Sequence, residues 1–153
     1  MPIMFAEMLV RRVEKNWLEI AESIVRRVNR DPQMPHYHSL PDDDIIQRAK
    51  DIANNLGHWM ERRNDVELVA RYEWLGRKRF NEGIPLTEVL RVIHTIKRQI
   101  VEYARDQHLE FSPLEMHAET ELVRALGRCF DLMLYAVAKG YEEARNGVGG
   151  VAA

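Results

Sequence analysis

The chain has 153 residues, 46 % apolar and 30 % charged, which makes one ordinary domain with enough apolar surface for its own core. The formal net charge is −2 with basic and acidic residues interleaved, so nothing favours nucleic acid or an anionic membrane as a partner. The single cysteine, Cys129, excludes an internal disulfide and any metal site built from several thiolates, and it fits a reducing, cytoplasmic setting.

Five long helices are predicted, separated by short turn signals. The first covers about 4–29, with Phe5, Leu9, Val13, Trp17, Ile20, Ile24 and Val28 on one face at steps of three or four. Pro32, Pro35 and Pro41 then predict a helix-free connection. The second helix opens on Asp42, Asp43 and Asp44, carboxylates that suit the exposed amides and the dipole of a helix start. It buries Ile45, Ala49, Ile52, Leu56 and Trp59, and Asn64 and Asp65 end it.

The third helix, about 66–81, carries Leu68, Tyr72, Leu75 and Phe80; Gly83 supplies the left-handed residue after it, and Pro85 fits the first turn of the fourth. The fourth has a narrow seam of Leu86, Val89, Ile93, Ile96 and Ile100. The fifth opens on the capping box Ser112-Pro113-Leu114-Glu115 and runs to about Arg145. Its apolar stretch 129–138, broken by Asp131, is about half a membrane span and reads as a buried helix centre. Residues 4–145 are thus one helical domain, globin-like or an up-and-down bundle, and 146–153 are a flexible Gly-rich tail.

No catalytic constellation and no metal motif emerges. His36 and His38 flank Tyr37 without a nearby third ligand, and neither His-Glu-x-x-His nor a repeated Glu-x-x-His occurs. His94 lies between Ile93 and Ile96 and is expected to border the core; its sharper readings are a haem ligand or a pH switch. Cys129 reads as a buried structural thiol. Trp59, Tyr72 and Trp74, with His94, are the candidate lining of a ligand pocket between helices. The third and fourth helices also read superficially as helix-turn-helix, but the start of the second is committed to Leu86, Val89 and Leu90 rather than to base-reading side chains.

The segment Leu-Gly-Arg-Lys-Arg-Phe-Asn-Glu-Gly-Ile-Pro-Leu-Thr-Glu-Val-Leu at 75–90 resembles the N-terminal domain of RsbRD- and RsbR-type proteins, the RsbT co-antagonists of bacterial stress signalling. Arg79, Gly83, Pro85 and Leu86 carry the likeness, which extends over about 72–98. It implies a cytoplasmic, dimeric, non-enzymatic sensor module with a kinase- or STAS-type regulatory partner and, in the RsbR branch, a globin-like fold without haem. The same stretch loosely resembles globin-coupled sensors, in which a histidine would stand at the position of Arg79; an arginine is no ordinary haem ligand. The relatives carry an output domain after the last helix, so the expectation here is a free-standing sensor or an output supplied by another chain.

The reading is therefore a signalling domain that dimerises and binds a protein partner, with gating by a small ligand as an option and no cofactor. The alternatives are a haem- or tetrapyrrole-binding sensor with His94 as ligand and, behind it, a DNA-binding helix-turn-helix. The candidate dimer element is the last helix, through Leu132, Met133, Ala136, Val137, Gly140 and Tyr141.

Overall fold

The computed structural model describes residues 6–106 and 112–147. Among the described residues the fold is all-α, with helices α1 (Glu7–Lys15), α2 (Trp17–Arg30), α3 (Pro35–His38), α4 (Asp42–Ala53), α5 (Leu56–Met60), α6 (Asp65–Asn81), α7 (Leu86–Asp106) and α8 (Pro113–Arg145), and a 3-10 turn at Arg62–Asn64. The expected start of the first helix at residues 4 and 5, and the tail from 148 onward, lie outside the described residues.

Among the described residues there are eight α-helices rather than five, because two expected helices are divided and a third, short one forms in the connection between them. The expected first and second helices are each divided at an asparagine. Asn16 separates α1 from α2, and its side-chain amide donates to the Arg12 carbonyl at 2.8 Å. Asn55 precedes α5, and its amide donates to the Asp51 carbonyl at 3.1 Å. An asparagine side chain that bonds a carbonyl four residues back competes with the helical ladder, so the chain turns while the donor–acceptor count is kept. The Trp59 indole donates to the same Asp51 carbonyl at 3.0 Å, which fixes the second break to the core.

The proline-rich connection is a correction of another kind. It was expected to be free of helix, yet α3 forms there with Pro35 at its first position. A proline in the first turn surrenders no intrahelical hydrogen bond, so the residue that argued against a helix starts one.

The best-matched prediction is the end of α6. Gly83 has φ +76°, its N–H donates to Phe80 O at 3.0 Å, and the Ile84 N–H donates to Arg79 O at 3.1 Å. This is a Schellman ending, with Ile84 buried as its apolar contact. The cap of α8 also forms, Ser112 Oγ accepting from the Glu115 N–H at 3.1 Å.

The longest helix, α8, lies along α6, and the two backbones nearly touch. A Cβ added at Gly76 would lie 2.1 Å from Val137 O, and one added at Gly140 would lie 2.0 Å from Glu73 O. Helix α7 packs against α1, α2, α6 and α8, and α2 pairs with α4. The shared core includes Ile20, Ile24, Ile52, Trp59, Tyr72, Ile96, Leu126, Phe130 and Met133. No helix among the described residues is long and apolar enough to cross a membrane.

Candidate functional site

The motif of 75–90 folds into a clasp around the α6–α7 turn. Arg79, in the last turn of α6, is 2 % exposed, which an arginine tolerates only when its charge is paired. One of its terminal nitrogens donates to Asp44 of α4, and the other donates to Glu82 at 2.8 Å. Its guanidinium carbon stands 5.3 Å from the centre of the Tyr37 ring in α3. Burial alone would push the guanidinium down; the hydrogen bond to Asp44, with Tyr37 and Glu82 behind it, reverses that and raises its pKa. Burial likewise acts to raise Asp44, but the bond from Arg79 holds its carboxyl below the usual range. Burial pushes the Tyr37 phenol up to about 12. The clasp is therefore a fixed arrangement of charged Arg79, charged Asp44 and neutral Tyr37 near neutral pH.

Glu88, in the first turn of α7, closes the other side. It is 4 % exposed. One carboxylate oxygen accepts from the His36 N–H at 2.9 Å, and the other meets His36 Nδ1 at 2.5 Å. The Tyr37 N–H points to the first oxygen at 3.4 Å. A buried carboxylate thus satisfies amides at the start of α3 that the helix itself leaves open. The Tyr141 hydroxyl of α8 donates to Ile84 O at 2.8 Å, and its ring meets Phe80 edge-on at 5.4 Å between centroids. One short turn therefore ties α3, α4, α6, α7 and α8 together.

The four candidate pocket residues are not gathered in one enclosed cavity. Trp59 and Tyr72 are core residues, whereas Trp74 is 52 % exposed and His94 lies on the solvent face of α7. The expectation that His94 borders the core fails because the buried stripe of α7 is Val89, Val92, Ile93, Ile96 and Ile100, and residue 94 falls outside it. Three of the aromatics do converge on Asp51. The Tyr72 hydroxyl donates to its carboxylate at 3.3 Å, the Trp59 indole bonds its carbonyl, and Trp74 lines with it a shallow open depression of ≈ 450 Å³. Gln47, Arg48 and Arg71 complete that lining. Arg71 donates to Asp51 and lies 5.0 Å from the Trp59 ring centre, and Arg48 lies 5.6 Å from that of Tyr72. Burial pushes the Tyr72 phenol up, so it stays neutral beneath this floor.

The dimer candidates on α8 need correction. Met133, Ala136, Val137 and Gly140 are buried within the chain itself, in the face that α8 turns toward α6, and Tyr141 is spent on the Ile84 carbonyl. Leu132 is half-buried against the same core. Within the run 129–138 the same chain covers Cys129, Phe130, Met133, Ala136 and Val137, while Tyr135 is 60 % exposed. Cys129 is buried, its thiol directed to Trp59 O at 3.5 Å, and burial pushes its pKa up to about 12.

His36 and His38 point to different partners, Glu88 and the Val28 carbonyl, the latter at 2.8 Å. No group of three metal-ligating side chains converges among the described residues. Sequence reasoning reached Arg79, Gly83 and Pro85 but missed Tyr37, Asp44 and Glu88 as their partners. Glu88 alone left a signal, as a carboxylate three residues after Pro85 at a helix start; Tyr37 and Asp44 belong to segments that the chain order gives no reason to connect with residue 79.

The family described as RsbT co-antagonist protein rsbRD N-terminal domain matches the chain over residues 18–153. No curated protein and no solved structure matches it. The matched span runs from the second residue of α2 through α8 and includes the whole clasp, and the chain belongs to this family of stress-signalling sensor domains.

Proposed function

We propose that this rsbRD-type N-terminal domain is a non-enzymatic, cytoplasmic module that self-associates and binds a regulatory protein of the kinase or STAS type. The observation that carries the reading is the family match across residues 18–153. Supporting a non-enzymatic role, the buried ionisable groups of the clasp are spent on one another or on backbone amides, as Arg79 is on Asp44 and Glu82 and Glu88 is on α3. The domain works without haem in this reading: the position at issue is held by Arg79 inside its ion pairs, and His94 faces solvent.

The test has two arms. Light scattering on an eluting column should give twice the 18.0 kDa chain mass at high protein concentration. Immobilised domain should retain a purified switch kinase or STAS-domain protein from the same source, and should not retain an unrelated kinase. A strict monomer overturns the first half, and no retention of either partner class overturns the second.

A further inference from the structure

The second cluster, around Trp74, plays no part in the clasp. Trp74 is the tryptophan that stands half in solvent, while Trp59 is 2 % exposed. It is bracketed on its own helix by Arg71 one turn before and Lys78 one turn after, with Lys78 Nζ 5.3 Å from the indole centre. Gln47 and Arg48 face it from α4 across the depression. Two arginines, Arg48 and Arg71, share the single carboxylate of Asp51. The Arg48 Nε–H is buried without an acceptor. Asp44, the other carboxylate of this face of α4, is taken by Arg79. The surface is therefore locally cationic on a chain whose net charge is −2.

Tryptophan and arginine, here Trp74 beside Arg48 and Arg71, are the residue types enriched in protein-interface hot spots. The depression is too open to enclose a small molecule, which a ligand pocket normally buries over most of its surface. We propose that the Trp74 shelf of α4 and α6 docks a protein segment that presents carboxylates around an apolar side chain, the apolar group on the indole and the carboxylates on Arg48, Arg71 and Lys78. This rests on the partner-binding reading above and adds where the contact is made and what chemistry it takes.

The test uses the full chain and a labelled synthetic helical peptide with a Leu face flanked by Glu, alongside the same peptide with Lys for Glu. Fluorescence anisotropy should show saturable binding of the Glu peptide, at least tenfold weaker for the Lys peptide, and weakening as salt rises. Trp74→Ala and Gln47→Glu should each weaken the Glu peptide about tenfold or more. Both positions are exposed, so their folding is checked by an unchanged melting curve, and Val66→Ala serves as an exposed apolar control with no effect. Equal affinity for both peptides, no binding of either, or binding indifferent to both shelf substitutions overturns the proposal. Displacement of the Glu peptide by indole-3-acetate at millimolar concentration would also overturn it, assigning the shelf to small carboxylates. If the wild type and Trp74→Ala retain a kinase or STAS partner equally, the shelf is refuted and the broader function stands. If the peptide binds as expected while no such partner is retained, the broader function fails on its own.

Discussion

The α6–α8 crossing sets a sharp demand on two residues. Replacing Gly76 with alanine places a methyl carbon 2.1 Å from Val137 O, and Gly140→Ala places one 2.0 Å from Glu73 O. Even a close carbon–oxygen contact needs about 3.3 Å, so the helices must part by roughly 1 Å at this point. The obstructing atoms are backbone within two helices, and no rotamer change relieves them. Overpacking a core costs about 1–3 kcal/mol, and a rigid backbone contact belongs at the upper end. Alanine returns up to ~1 kcal/mol of helix propensity, leaving a net loss of about 2 kcal/mol for each variant. For a domain of this size that lowers Tm by roughly 4–8 °C. The double variant should lose less than the sum, because the first methyl already parts the helices at the site of the second. Gly127 of α8 is the internal control: nothing lies within 4 Å of its added Cβ, so Gly127→Ala should gain about 0.5–1 kcal/mol. Urea unfolding followed by circular dichroism measures the four variants against wild type. A Gly76→Ala variant as stable as Gly127→Ala would refute the close crossing.

Arg79→Leu should destabilise the domain by about 3 kcal/mol, because it strips the buried guanidinium from Asp44, Glu82 and Tyr37, and Arg79→Lys should recover little of this since one ammonium cannot fork to both carboxylates; urea midpoints decide. Asp44 has a folded pKa below its ordinary 3.8, so its contribution is fully present above that value and is lost as pH falls through the folded pKa. Asp44→Asn should therefore be less stable than wild type at pH 7, with a gap that narrows below about pH 4; a gap constant down to pH 2 in acid-titrated melts would contradict the pairing. Glu88→Gln keeps the shape but removes the charge that holds His36 and α3, and should cost about 1–2 kcal/mol while speeding hydrogen exchange at the His36 and Tyr37 amides more than in the centre of α8. Cys129, with its thiol raised to about 12, should react with an aromatic disulfide reagent at least a hundredfold more slowly in the native protein than in denaturant, and rapid stoichiometric labelling of the folded chain would show that it is exposed.

What could be read from the sequence follows the range of the interactions involved. The end of α6 and the start of α8 were legible because glycine at a left-handed position and a serine cap act within one turn. The breaks at Asn16 and Asn55 were missed because the apolar period runs straight through them: Val13, Ile20 and Ile24 keep their spacing on both sides, and only the side-chain bond to the fourth carbonyl back marks the interruption. His94 was misplaced because its two isoleucine neighbours say nothing about the angle at which residue 94 itself leaves the helix. The α8 residues 133, 136, 137 and 140 were recognised as an interface, but apolarity carries no label for the partner, and α6 of the same chain occupies it.

The clasp gives a physical reason for the motif at 75–90. Gly83 and Pro85 by themselves need only a tight turn, and many sequences make one. Arg79 before the turn and Glu88 after it are opposite charges, both nearly fully buried, and they grip the same four-residue helix from two sides, Arg79 at the Tyr37 ring and Glu88 at the amides of His36 and Tyr37. Shifting the turn by one residue would rotate both charges about 100° around their helices and leave each unpaired in apolar surroundings. The turn length, the arginine and the glutamate are thus one constraint, and its object is the position of α3 between α2 and α4. The Trp74 shelf sits on the same α6, less than two turns before Arg79, and on the same α4 whose Asp44 the clasp holds. The two features thus share their supporting helices but not their side chains: the clasp spends Asp44 and Arg79, and the shelf is lined by Gln47, Arg48, Asp51, Arg71 and Trp74.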